Sequence, residues 1–189
     1  MHKGRLEAFT DGVIAVIITI MVLEMKAPPR ADLAAFASTL PVFLAYALSY
    51  TNVAIFWNNH HHMLQAAKRV DGRALWANMF LLFWLALVPS VIRWMDETDF
   101  AALPTAAYGF ILTMAAIGYL LLERMLIACD GLDSTLARAV GEERKGKLSI
   151  GIYIAAIGVA FIQPWIAIAL YIVVAVIWFI PDRRIEKIL

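Results

Sequence analysis

Charged and hydrogen-bonding side chains interrupt long apolar stretches at a few places in this chain, and each place allows a different chemistry. Arg5, Glu7, Thr10 and Asp11 stand together at the head of the first apolar stretch. An ionised carboxylate such as Asp11 at the edge of a membrane is costly unless paired or wet, so it marks either a packing lock or cap, or an ion path. His60, His61 and His62 close the second apolar stretch, and Asn78 and Arg93 sit in the third. Adjacent histidines look like a metal site, but successive residues on a helix point about 100° apart and do not meet at one ion. Helical zinc ligands favour spacings of three or four, and no Cys, Asp or Glu lies at such a spacing here. No metal is therefore expected. The reading preferred is a polar lock, with one imidazole hydrogen-bonded to Asp11 or Thr10 and Asn78 as a third member at the same level. Arg93 is expected to reach outward to the acidic run Asp96-Glu97-Thr98-Asp99.

The first stretch also has an apolar stripe. At about 100° per residue, Val16, Ile20 and Leu23 share one side of a helix with Thr19 at its edge, while Asp11 projects about 140° away. No phosphate-binding glycine loop, Walker lysine, G-x-S-x-G elbow, H-E-x-x-H pair or T-V-G-Y-G filter occurs, and nothing supports an enzyme. The single cysteine, Cys129, allows no intrachain disulfide and reads as a structural thiol near a helix end.

The elements that position these groups follow from composition. The chain is 62% hydrophobic and 16% charged, with a mean hydropathy of +0.76. Soluble domains are nearer half apolar and a quarter charged, and 189 residues cannot hide this excess in one water-soluble core. An all-α integral membrane protein is expected, one domain over residues 1–189. Six stretches approach the roughly 20 residues that span a bilayer. They are Phe9 to Met25, ended by Pro28-Pro29; Leu33 through Trp57 into the histidines, with Pro41 a candidate kink; Leu75 to Met95; Pro104 to about Ile127; Leu148 to Ile162; and Trp165 to Ile180, stopped by Pro181. A turn at Gln163-Pro164 joins the last two. The first stretch lacks a small-residue cleavage site and reads as a mature helix, not a signal peptide.

With the N-terminus inside, the inner segments collect Lys3, Arg5, Lys68, Arg69, Arg73, Arg124, Arg138, Arg144, Lys145, Lys147, Arg183, Arg184 and Lys187, thirteen of the sixteen basic residues. Only Lys26, Arg30 and Arg93 remain outside, so both termini are expected in the cytoplasm. The charged segment of about residues 130–147 is then cytoplasmic, and Leu132, Leu136, Ala139 and Val140 mark a short surface helix capped by Asp133 or Ser134. The net charge of +1 argues neither for nor against nucleic acid, and no such partner is expected.

Arg5-Leu6-Glu7-Ala8-Phe9-Thr10-Asp11-Gly12, continuing through Thr19 to Leu23-Glu24-Met25-Lys26-Ala27-Pro28, resembles the first helix of the transmembrane protein 175 family. That family comprises the lysosomal potassium channel of animals and its prokaryotic relatives, and its mark is R-x-x-x-F-S-D-G; threonine replaces serine at position 10 here. Phe56-Trp57-x-x-His60-His61 looks like the family's second helix, and Asn78 followed by Pro89 like its third. The resemblance implies a homotetrameric potassium channel lined by helix 1 of each subunit, with an apolar constriction and a threonine layer. The pore positions would be Val16, Thr19, Ile20 and Leu23, with Val16, Ile20 or Leu23 the narrowest ring and Thr19 selecting potassium. Arg5, Thr10, Asp11, His60, His61 and Asn78 would form a structural network off the ion path. No cofactor is implied beyond the permeant potassium. A potassium-preferring cation channel of the bacterial plasma membrane leads over a secondary ion transporter and a non-conducting scaffold. A transporter would want broken helices and a polar midplane site, and helix 1 has neither glycine nor proline between Val13 and Ala27.

Overall fold

A computed structural model describes residues 3–131, 133–140 and 144–179. Arg183, Arg184, Lys187, Leu132, Ile180 and Pro181, used in the readings above, lie outside the described residues, as do the side chains of Ala139, Val140 and Arg144. The described chain is helical: α1 (Lys3–Leu23), α2 (Leu33–Ser38), α3 (Leu40–Ala66), α4 (Gly72–Ala86), α5 (Val88–Glu97), α6 (Ala102–Asp130), α7 (Thr135–Val140), α8 (Arg144–Ala160) and α9 (Pro164–Phe179). Among the described residues, four helical segments are long and apolar enough to cross a membrane: Lys3–Leu23, Leu40–Ala66, Gly72–Glu97 and Ala102–Asp130. The helices at the fifth and sixth expected stretches, α8 and α9, have 17 and 16 residues.

Two prolines shape the path. The second stretch breaks at Thr39 into α2 and α3, and Pro41 occupies the first turn of α3, where its missing N–H has no intrahelical partner to lose. The third stretch breaks in the same way at Leu87, with Pro89 in the first turn of α5. Two aspartates start helices. Asp32 accepts from Ala35 N at 2.7 Å and Asp71 from Ala74 N at 3.0 Å. Arg30 beside Asp32, with the Ala35 N–H, holds its carboxyl below the ordinary value. The Ala74 N–H does the same for Asp71, helped by Arg73.

The core gathers on α6, which packs against α4, α5, α8 and α9. Gly118 allows a close approach to α4, since a Cβ there would stand 2.9 Å from the Leu81 backbone. Buried hydroxyls on this core include paired ones: Ser49 donates to Tyr108 at 2.9 Å, and Tyr171 donates to the Thr105 carbonyl at 3.0 Å. At one end of the bundle, Asp130 accepts from the backbone N–H of Lys68 at 2.6 Å and of Arg69 at 2.9 Å, pinning the α3–α4 connection to the end of α6. Cys129 is half-buried beside this clamp. Ser134 caps α7 by accepting from Ala137 N at 3.2 Å, and Leu136 of that helix is fully buried. Against this body, α1 leans on α3, α4 and α5.

Candidate pore helix and its anchor

The two faces of α1 are sharply unlike. Leu6, Thr10, Ile14, Ile17 and Met21 recur at helical spacing and are buried. On the other side Val16, Ile20 and Leu23 are 57%, 40% and 76% exposed, and Thr19 is exposed beside them. The Thr19 hydroxyl donates to the Ala15 carbonyl at 2.9 Å. Its hydrogen is thus directed along the helix, and its oxygen lone pairs stay open outward. All the stripe residues read from the angular spacing are brought to one uncovered face.

The packed face carries a chain of buried hydrogen bonds. His60 Nε2 lies 2.9 Å from Asn78 Oδ1, and Asn78 Nδ2 donates to Thr10 Oγ1 at 2.9 Å. All three residues are essentially inaccessible. A carboxamide oxygen only accepts, so this wiring calls for the Nε2–H tautomer of His60. Asn78 therefore bridges three helices, with α3 on one side and α1 on the other. The expected direct bond from an imidazole to Asp11 or Thr10 is replaced by this relay through Asn78.

Asp11 is exposed and has a different partner, the indole N–H of Trp57, which donates to Oδ1 at 2.7 Å. Sequence reasoning placed Trp57 in the run Phe56-Trp57-x-x-His60-His61 and gave its indole no partner. The signal that could have found it is spacing, because Trp57 lies one helical turn before His61 and stacks on its ring at 5.9 Å. His61 turns to Gln65 at 2.8 Å, with Glu7 3.8 Å away. His62 Nδ1 is buried with no hydrogen-bond partner among the described residues. The three imidazoles thus point to three places, and among the described residues no group of three His, Cys, Asp or Glu side chains could hold a metal. Arg5 is exposed and outside the His60–Asn78–Thr10 chain. At the other end of α1, Arg93 reaches the acidic run as expected through Glu97, and also pairs with Glu24, which sequence reasoning had not placed.

Residues 5–89, which contain every one of these groups up to Pro89, match the family model described as the endosomal/lysosomal potassium channel TMEM175. A potassium channel of a Chryseobacterium species is 51% identical over 187 residues, covering 99% of this chain and 97% of that one. The chain belongs to the TMEM175 family. A potassium channel of Chamaesiphon minutus is 28% identical over 187 residues, covering 93% of this chain and 92% of that one. The crystal structure of a lysosomal potassium-selective channel TMEM175 homologue from Chamaesiphon minutus superposes with a TM-score of 0.80 at 26% identity, covering 95% of this chain and 97% of that one. Human TMEM175, named an endosomal/lysosomal proton channel, is 32% identical over 116 residues, 55% of this chain and 23% of the human one. These TMEM175 relatives are ion channels, not enzymes, and this chain is a multi-pass membrane protein like them.

Proposed function

We propose that this chain forms a homotetrameric, potassium-preferring cation channel with the uncovered face of α1 turned toward the common axis. The observation that carries the reading is the division of α1. One face is packed and bolted by Thr10, while Val16, Thr19, Ile20 and Leu23 are exposed. The Thr19 oxygen faces outward on that stripe, and the full-length relatives are named potassium channels. In this arrangement the apolar rings at Val16, Ile20 and Leu23 form a narrow neck. An ion there loses water without compensating ligands, so dewetting sets the barrier. Potassium gives up hydration more readily than sodium, and the Thr19 oxygens supply ligands to a partly dehydrated ion. Without a T-V-G-Y-G loop, selectivity rests on these side chains.

The His60–Asn78–Thr10 chain, the Asp11–Trp57 bond and the nearby His61 hold the helix, and these groups and the exposed Arg5 stay off the ion path. The chain spans the bacterial plasma membrane six times, α8 and α9 being the last two crossings, with both termini in the cytoplasm. The break at Leu87 does not favour a transporter, because its neighbours Leu85, Val88 and Pro89 are buried and offer no polar substrate site.

Purified protein in a planar bilayer, with potassium on one side and sodium on the other, tests the function. Unitary currents that reverse on the potassium-preferring side are expected. Protein that is folded and inserted but silent under all gradients would leave only a scaffold.

A further inference from the structure

We infer that Arg93 is a positioning residue for the end of α1, fixing Leu23 through its neighbour Glu24. The inference rests on α1 lining the pore, and deepens that reading. Arg93 Nε donates to Glu97 Oε1 at 3.0 Å, one turn further along α5, and Nη1 donates to Glu24 Oε2 at 3.2 Å. The bond to Glu97 fixes one edge of the rigid guanidinium fork, so its other edge is aimed across at α1. Lys26 adds a second tie to the end of α5, with Nζ 3.5 Å from Glu97 and 3.9 Å from Asp96.

The place of this cluster gives it meaning. Glu24 follows Leu23 directly, and Leu23 is the last and most exposed member of the stripe. The helix ends there, with Glu24 N bonded back to the Ile20 carbonyl, and the chain then runs without helix to α2. Inside that final turn only Met21 is buried, so little apolar packing holds it. The support opposite is firm, since α5 buries Val88, Pro89, Val91, Ile92 and Met95. The ion pair is therefore the polar lateral tie on the turn that carries Leu23, beside the buried Met21. Half-exposed pairs are modest in strength, which suits a tie that biases the neck without deciding whether the protein folds.

A positioning role and a mere charge effect predict opposite results. If the pair acts by holding α1, removing either partner breaks the same bond. If it acts only through its electric field on passing cations, losing the cation and losing the anion must push current in opposite directions. Single-channel recording of full-length wild type, Arg93→Gln, Glu24→Gln and the double variant separates the two, with tetramer elution confirming assembly. The expected result is a change in open probability or unitary conductance of about two- to fivefold, in the same direction for both single variants, with the double variant matching either one. Opposite shifts, additive shifts or no shift would overturn the inference. Ile20→Asn is recorded in parallel. If it changes current while the pair variants do not, the positioning role fails and the pore stands; if none changes current, both fail.

Discussion

The same helix presents a face that the fold holds and a face that the fold leaves alone, and the contrast shows how a channel can separate stability from conduction. On the held face of α1, Thr10 is locked to Asn78 and Ile14, Ile17 and Met21 fill the contact with α3, α4 and α5. On the free face, Val16, Thr19, Ile20 and Leu23 are exposed and carry little of the packing. Substitutions on the first face should act on stability, and those on the second on the current. Asn78, which serves the held face from outside α1, is the residue on which that separation depends.

The largest effect is expected at Asn78. Asn78→Ala breaks both bonds at once and leaves the His60 ring and the Thr10 hydroxyl buried without partners, costing about 2–4 kcal/mol. Thermal unfolding of the purified protein in detergent measures it. A fall in stability under about 1 kcal/mol would mean that the buried chain does not hold α1. Next in size is the pair Ile17→Ala and Ile20→Ala. The buried site should lose about 2–4 kcal/mol to the cavity it leaves, and the free site less than about 1 kcal/mol. Equal losses would erase the distinction between the faces.

A matched pair of threonines sharpens the same contrast with smaller effects. Thr10→Val removes the acceptor of Asn78 and should destabilise by about 1–3 kcal/mol without moving the reversal potential. Thr19→Val, nearly the same shape, should leave stability unchanged and shift the bi-ionic reversal potential toward sodium. The smallest effect lies away from α1, at the start of α4. The folded state lowers the Asp71 pKa from 3.8, chiefly through the Ala74 N–H, so its stabilisation is fully present above about that value. It is lost as pH falls through the depressed folded value. The stability gap between wild type and Asp71→Ala should therefore be small at neutral pH and close in acid, with channel current unaffected throughout.

Much of this was legible in the sequence for a physical reason. A helix rotates by a fixed angle per residue, so Val16, Ile20 and Leu23 fall on one side before any packing is known. Residue type alone also marked Thr10, Asp11, the histidines and Asn78 as a polar group in apolar surroundings. What the sequence withheld is the wiring. Whether Asn78 bridges or merely accompanies depends on how α1, α3 and α4 cross, and the crossing also depends on contacts such as Gly118 of α6 against Leu81 of α4. Trp57 was placed in the second helix without a partner, and its indole N–H donates to the exposed carboxylate of Asp11. Pro41 was expected to bend a continuous helix, and the chain instead starts a new helix at Leu40, where proline in the first turn loses no bond.

The central claim is that the free face of α1 lines the ion path, and cysteine accessibility in the conducting protein addresses it most directly. On a Cys129→Ala background, Ile20→Cys and Ile17→Cys place a thiol on the free and the held face, three residues apart. A charged, membrane-impermeant thiol reagent applied during single-channel recording should abolish or sharply reduce current through Ile20→Cys and leave Ile17→Cys untouched. Block at Ile17→Cys with none at Ile20→Cys would put the ion path on the wrong side of α1 and contradict the account.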